Sequence, residues 1–341
     1  MSSTSKLRIG YVPEHFAAPL LQLARSEWGT QNLEIVSQPS GTGQMLTSLD
    51  ASQPSGQKID VAVALTEALI AGIAKGRKDY KLVGSYVRSS LNWAVITGTD
   101  PKASGYNSIS DLQGTKIGIS RIGSGSQIMA SVMALQNGWT DAEGKVKDIE
   151  FKVNDTFENL RKGVNQVAGL ETSCFMWEWF TTKPYVDSKE VRFIGSVPTP
   201  WPSWTIASSV ATTLSDPAQT KRLDEFLIKL DESITSFANP TSRADGTAAA
   251  FIKSEHPDYK PEDVEQWLKT VRWAGEQTPT EAGAALPTGQ NTGTTSVSEE
   301  TLRSTLATLE KAGVVSTPTG GWESEAFVFS QGVKGQSRLV A

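Results

Sequence analysis

Short apolar runs alternate with amphipathic segments along the first two-thirds of the chain. Apolar runs of this kind predict strands, and apolar residues three and four positions apart predict helices. The predicted strands cover 7–11, 33–37, 59–65, 81–87, 92–97, 116–120, 149–153, 172–176 and 191–197. The predicted helices cover 17–28, 41–49, 66–75, 126–137 and 157–164, the last with Asp155 or Thr156 as its cap. Strands and helices in alternation favour largely parallel sheets with helices on both faces.

From residue 208 onward the pattern becomes mainly helical. Pro217 suits the first turn of one helix, and further helices are predicted at 247–253 and from Pro261. The segment Ser296-Val297-Ser298-Glu299 predicts a capping box before a last helix. The stretch 277–295 is rich in Gly, Thr and Ala and predicts an irregular loop. The pattern assigns no role to residues 277–341.

Two glycine-rich corners join a predicted strand to a predicted helix. They are Gly41-Thr42-Gly43 and the segment 120–127, which contains Arg121, Ser124, Gly125 and Ser126. The unpaired N–H groups and the dipole at a helix N-terminus favour a small anion, and Arg121 adds a full charge. Neither corner has the spacing of a P-loop or of a dinucleotide fingerprint. The alternative is a plain connection between strand and helix.

Four of the ten tryptophans lie between residues 171 and 204. Trp201 and Trp204 belong to the proline-rich segment 198–204, which the prolines exclude from a central strand. We expect that segment to hold both rings at a cleft, where flat aromatic walls suit a heterocycle or a cation. Trp179 is expected in the core together with Phe180. For Glu178, acceptance of a hydrogen bond from a ligand amine and exposure to solvent both stay open.

Composition excludes several classes of function. The net charge is −5 and no basic run is present, which argues against nucleic-acid binding. The single Cys174 rules out an intrachain disulfide and suits a buried thiol. His15 and His256 are too far apart in sequence for a metal motif, so no metal or cofactor is predicted. No signal peptide or membrane-spanning run is visible, so a cytoplasmic location without membrane insertion is expected.

Several segments together resemble a known family. They are IGYVPEHFAAPL at 9–20, DVAVALTE at 60–67, DLQGTKIGI at 111–119, the loop 120–127 and FMWEWF at 175–180. The pattern is similar to the type 2 (class II) periplasmic-binding-protein fold, in its sulfonate-binding and thiamine-pyrimidine-synthase-like branch. With the loop 199–204 included, it looks closest to an intracellular fungal member of Candida type.

The resemblance implies an α/β protein of two lobes, each a mostly parallel sheet flanked by helices. One lobe would combine 1–96 with 207–341, and the other would be 97–206. Two crossovers, near 95–98 and 204–208, would form a hinge around a ligand site. The resemblance and the aromatic segment together give these candidate ligand-binding residues: His15, Phe16, Gly41, Thr42, Gly43, Thr66, Glu67, Arg121, Ser124, Gly125, Ser126, Trp177, Glu178, Trp201 and Trp204.

The predicted function is non-catalytic binding of a small anionic organic ligand, such as a sulfonate, a phosphorylated pyrimidine or a similar heterocycle. Two alternatives stay open. One is an enzyme related to thiamine-pyrimidine synthesis with His15 or Glu178 as acid–base group, and the other is an intracellular ligand sensor. Thiamine-pyrimidine synthases carry a lysine and a histidine near the helix that corresponds to 66–72. This chain has neither there, so a pyridoxal-phosphate Schiff base is unsupported. The oligomeric state is left open.

Overall fold

Two five-stranded sheets organise the chain. The computed structural model describes residues 6–52, 57–101, 105–276 and 293–341. The first sheet has the strand order β2-β1-β3-β10-β4, the second has β7-β6-β8-β5-β9, and β11 pairs with β12. The strands are β1 (Leu7–Tyr11), β2 (Leu33–Ser37), β3 (Val61–Leu65), β4 (Tyr80–Val87), β5 (Asn92–Gly98), β6 (Lys116–Ile119), β7 (Glu150–Val153), β8 (Cys174–Glu178), β9 (Val191–Pro198), β10 (Trp204–Ser209), β11 (Val297–Ser298) and β12 (Leu339–Val340).

Helices flank both sheets, and six of those in the described ranges follow β10 in the chain. The helices are α1 (Ala18–Arg25), α2 (Glu27–Asn32), α3 (Thr42–Leu49), α4 (Thr66–Ala74), α5 (Gly125–Gln136), α6 (Phe157–Val164), α7 (Trp179–Asp187), α8 (Pro217–Phe237), α9 (Pro240–Ala244), α10 (Thr247–Glu255), α11 (Pro261–Thr270), α12 (Glu299–Lys311) and α13 (Ser324–Phe327). No helix within the described ranges combines the length and the apolar character needed to cross a bilayer.

Both sheets are mixed but mostly parallel, as predicted, because four strands of each sheet run in one direction and a single strand runs against them. In the first sheet β1 runs parallel to β2 and β3, while β10 runs antiparallel to β3 and β4. The second sheet repeats this plan, with β6 parallel to its neighbours and β5 antiparallel to its own. The antiparallel members β5 and β10 are the strands that the chain enters directly after leaving the other sheet. The two-lobed α/β architecture itself is as predicted.

The chain passes between the sheets at 88–91 and at 199–203. The predicted boundaries at 96/97 and 206/207 fall inside β5 and β10, so both passages lie a few residues earlier, and the division into lobes stays a prediction. The two passages are hydrogen-bonded to each other, since Leu91 N donates to Thr199 Oγ1 and Thr199 N donates to Leu91 O, each at 3.0 Å. Any hinge between the sheets therefore consists of two paired segments.

Several local predictions differ from the observed elements. The helix expected at 17–28 is broken at Ser26, whose extended backbone lets its hydroxyl accept from Gly29 N and start α2. Thr156, not Asp155, caps α6 through Asn159 N. The cap of α12 is Ser298 and not Ser296. Trp204 opens β10, a central strand of the first sheet, so the prolines exclude only 199–203 from it. Of the loop expected at 277–295, residues 277–292 lie outside the described part of the chain.

The C-terminal segment is anchored on the first sheet. Phe329 N donates to Leu82 O, and β12 pairs in parallel with β11. The fully buried Arg338 donates to Val83 O at 3.0 Å and also binds Asp224. A buried guanidinium with these partners holds the tail against β4 and α8. Residues 293–341 are thus part of the structure that supports the first sheet.

Candidate functional site

A narrow cavity lies between the two sheets. Its volume is about 30 Å³, and the empty space including its mouth is about 380 Å³. Most of the residues that line it come from the ends of strands and the starts of helices, where ligands bind in open α/β sheets. The lining residues are Val12, Glu14, Gly41, Thr42, Leu65, Leu91, Trp93, Ser120, Ser124, Gly125, Ser126, Trp177, Glu178 and Trp204.

The structure brings the two glycine-rich corners together at this cavity. Helix α3 begins after Gly41, whose φ of 76° favours glycine, and α5 begins after Ser124. The Ser124 and Ser126 hydroxyls lie 2.9 Å apart, and the Thr42 hydroxyl accepts from Leu65 N at 3.1 Å. The first N–H groups of each helix have no acceptor within the helix. Two helix N-termini, one from each sheet, therefore end at one space.

The corners approach closely across the cavity. A Cβ on Gly125 would lie 2.4 Å from Leu65 Cδ1 and 2.9 Å from the Trp93 ring. An added Cβ would overlap both side chains, so glycine at position 125 permits this close approach and a larger residue would displace its neighbours. Gly43 likewise faces Arg121, with 3.2 Å from an added Cβ to Arg121 Cβ. Gly43 lies in the first turn of α3 but does not line the cavity.

Arg121 does not supply charge to the cavity. Its guanidinium lies 2.8 Å from Asp155 Oδ1, and its side chain packs on Gly43 outside the lining. The predicted role of Arg121 as the partner of an anionic ligand is therefore not supported by its position. The sequence could not show this, because Asp155 comes from the loop after β7, far along the chain.

Two buried carboxyl groups form part of the wall. Glu14 follows β1 and accepts a hydrogen bond from Trp177 Nε1 at 2.9 Å, across the two sheets. Burial raises the pKa of Glu14 to about 8, and the nearby charge of Glu178 adds to this. Glu178 ends β8 and caps α7 by accepting from Thr181 N at 2.7 Å. The candidate residues named from the sequence include Glu178 but not Glu14, although the resemblance placed the whole loop 13–16 at the site.

His15 and Phe16 stand behind the wall. Both are buried, and neither lines the cavity. His15 Nε2 lies 3.6 Å from Glu178 Oε2, and the His15 ring rests edge-on against Trp267 with centroids 4.3 Å apart. The Phe16 ring lies 5.6 Å from that of Trp204. These two predicted site residues thus support wall residues from behind.

Thr66, Glu67 and Trp201 also lie outside the lining. Trp201 Nε1 donates to Glu67 Oε2 at 2.8 Å, and both side chains are almost completely buried. Burial raises the pKa of Glu67 to about 7. The Thr66 hydroxyl is paired with that of Thr205 at 2.7 Å. The expectation of a cleft position for Trp201 is wrong in this structure, because its ring turns into the core at the passage between the sheets.

Three tryptophans line the cavity. Trp177 and Trp204 are among the predicted residues, whereas Trp93 was missed because it lies inside the apolar run of β5. The indole N–H groups of Trp93 and Trp204 are buried and have no hydrogen-bond partner among the described residues. Buried donors without acceptors are costly, so they mark a place where a ligand acceptor would be favourable. Trp179, expected in the core, is half-buried and rests against Phe193.

No group of three or more His, Cys, Asp or Glu side chains in the described ranges is arranged to hold a metal ion. Cys174 is completely buried in β8, as expected. The chemistry that the cavity offers is therefore that of helix N-termini, hydroxyls, indole rings and two carboxyl groups.

Comparison with known proteins supports this two-lobed assignment. Residues 93–197 match the family described as Ca3427-like PBP. The CA3427 gene product of Candida albicans, described as having the generic periplasmic-binding-protein fold, is 30% identical over 99% of both chains, with a TM-score of 0.77. No curated protein sequence matches significantly.

More distant structures share the fold alone. The alkanesulfonate-binding protein SsuA of Xanthomonas axonopodis pv. citri, bound to MOPS, is 15% identical, with a TM-score of 0.60 over 96% of this chain and 99% of its own. The ligand-binding component of an ABC-type import system from Staphylococcus aureus, with zinc bound, is 12% identical, with a TM-score of 0.61 over 96% and 97%. The fold and the identity to the Candida protein agree with the resemblance noted in the sequence. The chain belongs to the Ca3427-like family of proteins with the periplasmic-binding-protein fold.

Proposed function

We propose that this protein binds a small organic ligand in the cavity between its sheets, without converting it chemically. An anionic group of the ligand would lie at the N-termini of α3 and α5, and its apolar part would lie against the tryptophans. The observation that carries the proposal is the convergence of two helix N-termini, one from each sheet, on one buried space with several hydroxyls. The partial positive charge of both termini then acts on the same group.

The unpartnered indole donors support the same assignment. Trp93 and Trp204 are each 4% exposed, and each would gain an acceptor if an anionic oxygen lay nearby. The Ser124 and Ser126 hydroxyls are hydrogen-bonded to each other, Ser124 caps α5, and Ser126 accepts from Ser120 N, which is typical of a binding corner and not of an activated nucleophile. The Xanthomonas protein of this fold is described as an alkanesulfonate-binding protein, so short alkanesulfonates are suitable first probes.

Ligand entry requires the lobes to separate. The cavity is too small for an organic molecule to enter without displacement of its walls. The paired passages at 88–91 and 199–203 are the natural hinge. Lys183 of α7 lies 3.2 Å from Asp263 of α11, a contact that separation of the lobes would break. In this proposal, the described arrangement corresponds to the closed form of a hinged binding protein.

The test is calorimetry with propane-1-sulfonate and with a short alkyl phosphate. The double variant Ser124→Ala/Ser126→Ala should bind at least about tenfold more weakly, because a hydrogen bond to a charged group contributes about 1.5–3 kcal/mol and about 1.4 kcal/mol is tenfold. Ser131→Ala, on the same helix but outside the lining, is the matched control. Equal affinity of the double variant and the control would contradict the anion position.

Arg121→Ala gives an independent check on the charge that holds the anion. Because Arg121 is paired with Asp155 outside the lining, its removal should leave the affinity for propane-1-sulfonate nearly unchanged. A loss of tenfold or more would instead make Arg121 a ligand-binding group. Mass spectrometry of the ligand recovered after prolonged incubation tests the non-catalytic part of the proposal, and a changed mass would contradict it.

A further inference from the structure

The cavity wall is acidic as well as anion-binding. Glu14 and Glu178 come from opposite sheets, both are less than a tenth exposed, and both line the cavity. None of the fourteen lining side chains is Lys, Arg or His. A ligand that is only an anion gains from the helix N-termini but meets two carboxyl groups with no basic side chain between them. The two carboxyl groups therefore favour a ligand that carries a positively charged group.

We propose that the ligand is a small zwitterion whose protonated nitrogen lies between Glu14 and Glu178 while its anionic group lies at the N-termini of α3 and α5. The position of the anionic group rests on the proposed function. The position of the protonated nitrogen rests on the carboxyl pair alone. A compact ω-amino acid, aminosulfonate or aminoalkyl phosphate has the required chemistry.

The free oxygens of the two carboxyl groups support the assignment. Glu14 uses one oxygen to accept from Trp177 Nε1, and Glu178 uses one oxygen to cap α7. Among the described residues, no hydrogen bond is donated to the second oxygen of either carboxyl, and neither of these oxygens is completely buried. Burial disfavours the ionised form of both carboxyl groups, so a ligand group that donates to both would be stabilised between them.

Two histidines lie near the carboxyl pair but outside the cavity lining. His15 Nε2 lies 3.6 Å from the Glu178 oxygen that already caps α7, and the His15 ring is enclosed by Tyr259 and Trp267 behind the wall. His256 is directed to the backbone of Glu14 and not to its carboxyl. Among the described residues, neither carboxyl is ion-paired with Lys or Arg, so a ligand ammonium group would add a positive charge that the cavity lining lacks.

The aromatic walls favour an organic cation. Trp93, Trp177 and Trp204 line the same space, and indole faces attract ammonium groups. An ammonium group also donates up to three hydrogen bonds, which matches two free carboxylate oxygens. The narrow cavity limits the distance between the two charged ends of the ligand to a few bonds.

The experiment compares three matched probes by calorimetry: 3-aminopropane-1-sulfonate, propane-1-sulfonate and propylamine. The unaltered protein should bind the aminosulfonate at least tenfold more tightly than the sulfonate without the amine. That preference should be lost in Glu14→Gln and in Glu178→Gln. Glu67→Gln is the matched control, since Glu67 also accepts from a buried indole but lies outside the lining, and it should keep the preference.

The outcomes separate the two proposals. If propane-1-sulfonate binds as tightly as the aminosulfonate, or if Glu14→Gln keeps the preference, the inference is overturned and the anion site stands. If propylamine binds as tightly as the aminosulfonate, the anion site fails and the carboxyl pair stands. If no probe binds, both are overturned.

Discussion

Glu14→Gln removes the most strongly perturbed carboxyl of the cavity while keeping its shape. Glutamine still offers an oxygen to Trp177 Nε1, so the hydrogen bond across the sheets survives. Burial and the charge of Glu178 raise the pKa of Glu14 from 4.5 to about 8. At about 1.4 kcal/mol per pH unit, ionising Glu14 in the closed, ligand-free protein costs about 5 kcal/mol. Opening of the cleft would hydrate the carboxylate, so this value is an upper limit for the cost of ionising Glu14.

The raised pKa of Glu14 determines how the free energy of unfolding depends on pH. Because the pKa is higher in the folded than in the unfolded chain, the folded form binds the proton more tightly. Stability is therefore full below about pH 4.5, falls as the pH rises to about 8, and is level above that. Glu14→Gln should lack this part of the decline, so it should be the more stable protein at pH 8.

The assay is urea unfolding of both proteins between pH 5 and pH 8.5. The raised pKa of Glu67 affects both proteins equally and cancels in the difference. Burial and nearby His15 lower the pKa of His256 to about 4, and burial keeps the pKa of Tyr259 far above neutral, so neither changes charge in this range. Between pH 5 and pH 8.5 the free energies of unfolding of the two proteins should diverge by up to about 4 kcal/mol. If the free energies of unfolding of the two proteins change in parallel with pH, the assignment of Glu14 as a buried acid without a cationic partner is refuted.

Three further changes test the packing around the site. Gly125→Val should hold the lobes apart, because even a Cβ there would lie 2.4 Å from Leu65 Cδ1, and small-angle scattering should show a larger radius of gyration. Trp201→Phe should leave Glu67 buried without its donor and lower the free energy of unfolding by about 1–3 kcal/mol, with ligand affinity unchanged. Arg338→Ala should cost about 3–5 kcal/mol in urea unfolding, because it releases the tail from the first sheet.

Local signals predicted the position of the two glycine-rich corners well. A glycine-rich turn between a strand and an amphipathic segment determines where a helix N-terminus lies, and both corners could be found in this way. Their meeting at one cavity needed only the assumption of two lobes. The fold class was predictable for the same reason, since it follows from the alternation of strands and helices.

Charge partners and ring positions depend on distant residues. Arg121 has the right charge for an anion site, but Asp155 binds it away from the cavity. Trp201 and Trp204 share one proline-rich segment. The Trp201 ring lies in the core, whereas the Trp204 ring lines the cavity. Trp93 carries no local signal within its apolar strand. The position of each of these side chains depends on contacts with residues distant in sequence, and a single sequence does not show those contacts.

The pairs Glu14–Trp177 and Glu67–Trp201 have the same chemistry but different consequences. Each joins a buried carboxyl to an indole N–H at 2.8–2.9 Å. Glu67 lies in α4, directly after β3, and Trp201 lies in the passage that leads into β10 beside it, so their bond stabilises the region around the first sheet. Glu14 and Trp177 belong to different sheets, so their bond exists only when the cleft is closed. A carboxylate accepts more strongly than a neutral acid. A ligand cation that lets Glu14 ionise thus strengthens the bond that holds the cleft closed, which couples the charge of the ligand to closure.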